Sequence, residues 1–429
     1  MTAYTDMTAS ELRALHSQLE QQLEGYRAMD LDLNMARGKP SPAQLDLSLP
    51  MLDVLDSASD LSAEDGTDCR NYGVLAGLPE ARALMAALVE AEPEQVIVCG
   101  SSSLNVMYDT VARAWTHGID GNEPWGRQGT VKFVCPAPGY DRHFAICEHF
   151  GIEMVPVAMT EDGPDMEAVR KLVEGDAAVK GIWCVPQYSN PQGHTYSDKT
   201  VRALAALQPA APDFRIFWDN AYVVHHLYDE PERQDHVLEI LGECERAGHP
   251  DMVYEFCSTS KVTFPGAGIA AFVASEHNVE QTLAQMSAAT IGFDKLNQLR
   301  HVRFLKDADG VRAHMSKQAA LLRPKFEAVL DILEEDLGGT GCGTWTHPNG
   351  GYFISFVGPS GTAKRIVEMA ASAGVKMTGA GATWPYHDDP HDADIRIAPS
   401  FPELEDLKLA ARVFTTCVRL ASVEKLLER

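Results

Sequence analysis

Apolar runs alternate with amphipathic stretches through the middle of this chain, and this alternation restricts the fold more than any other feature. The apolar runs occupy residues 95–99, 131–135, 154–157, 181–185, 215–218, 252–257 and 269–274. Between most of them lie stretches with helical periodicity, such as residues 166–173 and 198–207. Strands that alternate with helices build a largely parallel sheet covered by helices. The sequence therefore predicts an α/β fold with a central, mostly parallel seven-stranded sheet, and ligands are expected at the loops that follow the strands.

The two ends of the chain have other patterns. Leucines at helical spacing predict a helix over residues 10–29. After residue 300 the sequence predicts a long helix over 310–337 with a kink at Pro324, two short strands, and helices over 362–373 and 403–427. Because the chain is long for one core, we expect an N-terminal arm (1–50) that packs on a small domain, a large domain (51–315) and a smaller α+β domain (316–429).

Charge and cysteine content argue against several classes of partner and compartment. The 36 basic and 61 acidic residues give a net charge of −25, which disfavours nucleic acid and anionic membrane surfaces. Nine scattered cysteines without CxxC spacing fit a reducing cytoplasm. No run of 18 apolar residues and no signal-peptide pattern is present, so we expect no membrane anchor. The histidines at 225, 226, 387 and 391 lack metal-ligand spacing, and no metal is expected.

Two ionisable side chains follow predicted strands directly. Lys261 comes after the run 252–257, within Ser258-Thr259-Ser260-Lys261. A lysine amine attacks a carbonyl only when it is neutral, and burial lowers its pKa; most lysines at strand ends are simply solvated, and this stretch alone leaves both readings open. Asp219 ends an apolar strand, where a carboxylate is costly to bury unless a cation pairs with it.

Further stretches suit an anion. The turn at residues 100–103 follows a strand and precedes a helix, so its free N–H groups could bind a phosphate, although serines there also act as simple caps. Arg37-Gly38-Lys39 either holds an anion or is a solvated turn. Pyridoxal 5′-phosphate (PLP) needs an amine, a carboxylate, donors for its O3′ and an anion site. The residues that could meet these needs, with a ring for stacking, are Lys261, Asp219, Tyr222, Asn190, Tyr140, Ser101, Ser102, Ser103, Ser258 and Ser260.

Seven fragments in order resemble the class I aminotransferases of PLP fold type I, the aspartate aminotransferase family. The resemblance covers about residues 30–425, and Arg70-Asn71-Tyr72-Gly73 and residues 35–41 resemble a bacterial subgroup most. The fragments are Tyr72 with Gly77-Leu78-Pro79-Glu80, Gly100-Ser101-Ser102-Ser103, Pro138-Gly139-Tyr140 with His143, Asn190-Pro191-Gln192-Gly193, Asp219-Asn220-Ala221-Tyr222, Ser258-Thr259-Ser260-Lys261 and Arg396-Ile397-Ala398-Pro399-Ser400.

The resemblance implies a role for each matching residue around the cofactor ring. Lys261 would bind the cofactor aldehyde and then move a proton between substrate Cα and cofactor C4′. Asp219 would keep the ring nitrogen protonated, with His143 supporting it from behind, although a helix histidine satisfied by its neighbours is the alternative. Tyr222 and Asn190 would bond O3′. Tyr140 would stack on the ring, with a plain core position as its alternative.

The resemblance also implies how phosphate and substrate are held. Ser101, Ser102, Ser258 and Ser260 would bind the phosphate, and Tyr72 would reach the phosphate of a neighbouring subunit, which implies a homodimer. Arg396 would take the substrate α-carboxylate as a bidentate pair, and Gly38 would close over it. Asn190 would also lie against the substrate. Arg37, next to Gly38, is our candidate for the distal carboxylate of aspartate or glutamate; a pairing with an acidic side chain across the cleft is the alternative.

Two positions depart from the family pattern. An arginine that usually pairs with the cofactor phosphate is replaced by Gly268, so Lys295, from either subunit, or the hydroxyls alone would have to compensate. Gln192 stands where threonine is common, which we expect to matter little.

The leading interpretation is ping-pong transfer of an amino group from L-aspartate to 2-oxoglutarate. The alternatives are an aminotransferase for alanine, aromatic amino acids or aminoadipate, or a β-lyase of the same fold. A cofactor-sensing regulator would need a DNA-binding segment before the first motif, where about 30 residues stand. A pseudoenzyme would be expected to lack Lys261, Asp219 or Arg396, and all three are present.

Overall fold

Helices and strands alternate along most of the chain. The computed structural model describes residues 2–428. The helices are α1 (Ala9–Arg27), α2 (Pro42–Asp46), α3 (Pro79–Val89), α4 (Ser103–His117), α5 (Asp141–Phe150), α6 (Met166–Gly175), α7 (Asp198–Ala205), α8 (Ile240–Arg246), α9 (Glu276–Met286), α10 (Lys295–Leu305), α11 (Ala308–Leu337), α12 (Ala363–Ser372) and α13 (Leu404–Leu427). The strands are β1 (Leu33–Asn34), β2 (Val96–Val98), β3 (Lys132–Ala137), β4 (Glu153–Thr160), β5 (Gly163–Pro164), β6 (Val179–Cys184), β7 (Arg215–Asp219), β8 (Val253–Ser258), β9 (Ala270–Val273), β10 (Thr344–Trp345), β11 (Ile354–Val357), β12 (Val375–Lys376) and β13 (Asp394–Ile397).

The large sheet has the strand order β2-β9-β8-β7-β6-β3-β4-β5. Strands β8, β7, β6, β3 and β4 are parallel, whereas β9 is antiparallel to both of its neighbours. All seven predicted strands are present, which confirms the mostly parallel α/β sheet. The predicted count is one too low, because the two-residue β5 adds an eighth strand antiparallel to β4. A ladder of two residues is too short to produce a periodic pattern in the sequence.

The central strands read as continuous apolar runs because both faces of the sheet are covered. In β6 and β7, Ile182 and Ile216 face one buried cluster, whereas Trp183 and Phe217 face the other. Strands of this kind are typical of parallel sheets. Fully burying one such side chain contributes about 1.5–3 kcal/mol. The sheet is therefore a rigid support for the residues that follow its strands.

A second group of elements packs around α13. The antiparallel sheet β10-β11-β13 and helices α11 and α12 share one buried cluster with it. Helix α1 packs on α13, and β1 pairs in parallel with β12, where Leu33 lies opposite Val375. The N-terminal segment is thus attached to the C-terminal elements. The domain boundaries given above stay a prediction.

Helix α11 contacts both groups of elements and is continuous over 30 residues, with Pro324 inside it. Near its start, Val311 and Met315 pack with Leu84 and Val262 of the large unit. Later, from Leu322 onward, its buried side chains belong to the cluster around α13. The predicted division near residue 315 therefore falls inside one helix. Within residues 2–428 no helix is both long and apolar enough to span a membrane.

Candidate active site

The parallel strands bring their final residues to one edge of the large sheet. Asp219 is the last residue of β7, and Lys261 stands three positions after Ser258, the last residue of β8. Burial lowers the pKa of the Lys261 amine, because the protein disfavours the charged form, and the Asp219 carboxylate opposes this shift. Lys261 Nζ lies 4.8 Å from the centre of the Tyr222 ring and 5.9 Å from that of Tyr352. The amine therefore stands in an aromatic, largely desolvated position.

Asp219 is only 2% exposed, and only one of its two carboxylate oxygens has a hydrogen-bond partner among the described residues. Its Oδ2 lies 3.0 Å from His143 Nε2, whereas its Oδ1 is buried with no hydrogen-bond partner in residues 2–428. The His143 ring stacks on Trp183 with ring centres 4.4 Å apart, and Tyr140 contacts it edge-on. A buried carboxylate oxygen without a donor calls for an N–H that the chain does not supply. The ring nitrogen of protonated PLP is such a donor, so the residues present fit this group.

Aromatic rings enclose the other side of the lysine. Tyr222 is buried, and burial raises the pKa of its hydroxyl. Its ring stacks with Tyr352, and both rings contact His225 edge-on. Burial, followed by the nearby Lys261 charge, lowers the pKa of His225 to about 3, so its imidazole is neutral. The predicted O3′ donor, Tyr222, is therefore buried among aromatic rings.

The predicted phosphate residues come together from two loops. Ser102 caps α4 and accepts the Asn105 amide, while Ser103 begins the helix. Ser258 Oγ donates to Ser260 Oγ at 3.0 Å, and Ser260 Oγ donates to the Ser101 carbonyl at 3.4 Å. Hydroxyls and the N-terminus of a 15-residue helix thus face one place, an arrangement that suits a phosphate.

Gly268, which stands where the family usually has an arginine, lies close to the turn that contains Ser101. A Cβ on Gly268 would lie 2.9 Å from the Ser101 carbonyl oxygen, so a larger side chain would require a shift of the backbone. Lys295, the suggested substitute, is buried and donates to the Gly73 carbonyl at 3.0 Å. Within this chain it is therefore held beside Tyr72, and its part in binding a phosphate stays a prediction.

Arg396 lies on β13 and is 8% exposed. Its Nη1 donates to Asp141 Oδ1 at 2.9 Å and to Asn190 Oδ1 at 3.1 Å, and its guanidinium lies over the Phe353 ring at 4.7 Å. Its Nε has no partner in the part of the chain that the structure describes. A guanidinium with unused donors on a rigid strand is well suited to a carboxylate.

The N-terminal arm reaches this arginine through Phe353. A Cβ on Gly38 would lie 2.4 Å from Phe353 Cζ, so only glycine fits without moving the ring that supports Arg396. The neighbouring Arg37 is exposed, its carbonyl accepts the Lys39 amide at 3.0 Å, and none of the ion pairs within residues 2–428 includes it. Its contact with a substrate stays a prediction.

Tyr72 stands apart from the other predicted residues. Its side chain is 82% exposed, and its turn packs against the segment that leads into α10 through the Lys295 bond to Gly73. The structure therefore does not bring Tyr72 to the serines of its own chain.

Sequence reasoning missed three residues that shape the site. Asp141 pairs with Arg396, Trp183 lies under His143, and Phe353 separates Gly38 from Arg396. Asp141 looked like an ordinary acid in the first turn of α5, and the other two looked like core. The only available signal was the position of Asp141 beside Tyr140 within a matching fragment.

A doubly covered parallel sheet, a lysine with a lowered pKa and a buried carboxylate oxygen without a partner fit the class of PLP-dependent aminotransferases of fold type I. The family profile described as aspartate amino-transferase matches residues 7–429. The chain belongs to this family, whose members depend on PLP, and it is an aminotransferase, which confirms the resemblance found in the sequence.

Individual proteins agree with this assignment. The chain is 45% identical over 421 residues to an aspartate aminotransferase of Corynebacterium glutamicum, covering 98% of this chain and 96% of that protein. The crystal structure of an aspartate transaminase from the same species superposes with a TM-score of 0.95 at 44% identity, with 99% of both chains covered. An α-aminoadipate aminotransferase from Thermus thermophilus shares the fold, with a TM-score of 0.72, 19% identity and 95% coverage of both chains.

Proposed function

We propose that this chain binds PLP through Lys261 and transfers the amino group of L-aspartate to 2-oxoglutarate, forming oxaloacetate and L-glutamate. The single observation that carries the cofactor assignment is Asp219 Oδ1, a buried oxygen without a donor, near a lysine whose pKa is lowered by burial. The similarity to aspartate aminotransferases supports the choice of substrate.

PLP, when bound, withdraws electrons from the substrate Cα and so acidifies its proton. Lys261 Nζ accepts this proton. A neutral amine is a competent base, and burial favours the neutral amine because it lowers the pKa of Lys261. Asp219 would hold a positive charge at the ring nitrogen of PLP through Oδ1, and His143 holds Asp219 in place through Oδ2. Tyr222 and Asn190 would orient O3′, Tyr140 would stack on the ring, and Tyr352 would help to exclude water.

Two arginines account for a dicarboxylic substrate. Arg396 binds the α-carboxylate with the donors that Asp141 and Asn190 do not fully use. Arg37 binds the distal carboxylate. Two observations support this role: Arg37 stands next to Gly38, and it has no carboxylate partner in residues 2–428. Ser101, Ser102, Ser103, Ser258 and Ser260 hold the phosphate by hydrogen bonds.

A homodimer completes this proposal. Tyr72 is highly exposed, and the segment that contacts its neighbour Gly73 also exposes the apolar side chains of Ile291 and Leu296. Such a patch is typical of a protein interface, and it supports a Tyr72 hydroxyl that serves the partner's phosphate. Light scattering that gave the mass of one chain would remove this part of the proposal. Nine buried cysteines without disulfides support a reducing, cytoplasmic location, which cell fractionation tests.

The proposal is tested by near-ultraviolet and visible absorbance of the purified protein before and after L-aspartate, with Lys261→Ala as control. The expected result is a cofactor band that aspartate shifts and 2-oxoglutarate restores, and that the variant lacks. A band that only another amino acid shifts would refute the aspartate assignment but keep PLP. Absence of any band after reconstitution with PLP would refute the cofactor assignment.

A further inference from the structure

A cavity of about 510 Å³ lies beside the site but on a separate set of residues. Its walls are the end of α3, the middle of β7 and β8, the segment 220–239 and the start of α11. Lys261 and Arg396 do not line it. Its rim is solvent-exposed at Glu90, Asp229 and His236, whereas its floor is formed by the buried residues Trp218, Asn220 and Glu255. The volume is sufficient for a small organic molecule.

Glu255 is the unusual residue of this floor. It is 2% exposed in the middle of β8, and only its Oε1 has a donor, Asn220 Nδ2 at 2.9 Å. Neither a cation nor a second donor of residues 2–428 reaches its Oε2. Burial raises the pKa of Glu255 to about 8, with the nearby carboxylates Glu239 and Glu90 adding to the shift. A carboxyl group buried without a cation is costly to the fold and is more often found where a ligand binds.

The other carboxylates of the wall already have donors. Glu90 lies 2.7 Å from His236 Nε2, Asp229 accepts Ser316 Oγ at 2.7 Å, and Glu239 caps α8. Asp235 accepts Thr195 Oγ1 and Asn349 Nδ2, both at 3.0 Å. The unpartnered oxygen of Glu255 is therefore a separate observation and does not follow from the acidic character of the wall.

The charge of the residues that line the cavity determines which class of ligand it can bind. Burial lowers the pKa of His226, so it adds no positive charge, and Arg312 is exposed at the rim, where it pairs with Asp309. Five carboxyl groups thus face the cavity with no buried cation, which repels anionic amino and oxo acids and attracts a cation. Trp218, Val237 and Met315 add apolar surface for the body of the ligand.

We propose that this cavity binds a small protonated amine with an apolar body, whose N–H donates to Glu255 Oε2. The ammonium is the missing partner of the carboxylate, and the apolar part packs against Trp218 and Met315. This site is independent of the proposed aspartate specificity.

The test is calorimetric titration of the purified holoenzyme with N,N-dimethyl-2-phenylethylamine, at a pH just above the Glu255 pKa of about 8. A tertiary amine cannot condense with an aldehyde, so it does not react at Lys261. The neutral probe is 2-methyl-4-phenylbutan-2-ol, which has a similar shape. We expect saturable binding of the amine, at least about tenfold tighter than the alcohol, because hydrogen bonds to a charged group are strong.

Variants locate the binding. Glu255→Gln should weaken the amine about tenfold or more, whereas Glu90→Gln, at the rim, should change it less than about twofold. Ala319→Leu, which narrows the cavity and keeps Glu255, should weaken it as well and serves if the Glu255 variant does not fold. Saturating L-aspartate should leave binding unchanged. Wild-type affinity for the amine in both the Glu255 and the Ala319 variant, displacement by L-aspartate, or no saturable binding would each overturn the proposal.

Discussion

His143 Nε2 and Asp219 Oδ2 lie 3.0 Å apart in the interior, and this pairing leaves Asp219 Oδ1 buried without a hydrogen-bond partner in residues 2–428. The pair is almost completely buried, so the orientation of the carboxylate does not depend on solvent. One oxygen is bound to His143, and the other has no donor among the described residues.

Replacing Asp219 by Asn should therefore lower kcat for L-aspartate and 2-oxoglutarate by about a thousandfold. The variant keeps the shape but removes the charge opposite the cofactor ring, and losing one partner of a buried charge pair costs about 3–5 kcal/mol. Steady-state kinetics measure this. Asp198→Asn, at an exposed aspartate in the first turn of α7, is the matched control. A loss of less than tenfold would argue against the role of Asp219.

Lys261 should make the stability of the cofactor-free protein depend on pH. Its folded pKa lies below the ordinary 10.5, so between the two values the unfolded chain binds more protons than the folded one. The free energy of unfolding then rises with pH in that window and levels off above 10.5. Urea unfolding of wild type and Lys261→Met should show the difference shifting in favour of wild type as the pH rises. A difference independent of pH would contradict burial of the amine.

Asp141 should compete with the substrate for Arg396, because both offer a carboxylate to the same guanidinium. Asp141→Asn removes the competing charge, and we expect the Kd of the unreactive dicarboxylate maleate to fall about fivefold, or ~1 kcal/mol, as for a partly exposed ion pair. A change in the cofactor absorbance, or quenching of its fluorescence, reports maleate binding. Weaker binding in the variant would instead make Asp141 a support that orients Arg396.

Gly38→Ala should raise KM for both substrates while the cofactor band stays intact. The added Cβ would meet Phe353 at 2.4 Å and push the ring against Arg396. Overpacking of this kind costs about 1–3 kcal/mol. Gly25→Ala is the control, since nothing lies within 4 Å of its Cβ and alanine favours the surrounding helix α1. Equal KM values in the two variants would show that the contact is unimportant.

Arg37→Ala should affect dicarboxylic substrates selectively. We expect kcat/KM for L-aspartate and L-glutamate to fall about a hundredfold, from the loss of a charge-assisted hydrogen bond, with little change for L-alanine or L-phenylalanine. Comparing kcat/KM across the four amino acids measures this. An equal loss for all of them would refute the binding of the distal carboxylate by Arg37.

Much of the large sheet could be predicted because its strands are buried on both faces and therefore form uninterrupted apolar runs, as in β6 and β7. The strands β1, β5 and β12 could not, because two-residue ladders depend on partners far away or on a tight turn. The residues of such a short strand do not indicate which distant segment it pairs with.

The same distinction applies to the site. Lys261 and Asp219 stood out as candidates because a charged residue at the end of an apolar strand is chemically unusual. Arg396 lies within β13 and was named only through the resemblance. Gly38 was identified only through its motif, and its physical reason, the Phe353 ring, lies more than 300 positions away. The Asp141–Arg396 pair joins two residues of ordinary local appearance, and only the fold brings them together.

The pairing of β1 with β12 also has a consequence for synthesis on the ribosome. The first segment to emerge, including α1 and Leu33, finds its partners only when Val375 and α13 have been translated. Until then the leucines of α1 lack their apolar contacts, and because contacts of such long sequence separation form late, the finished substrate cleft is assembled only after almost the whole chain has been made.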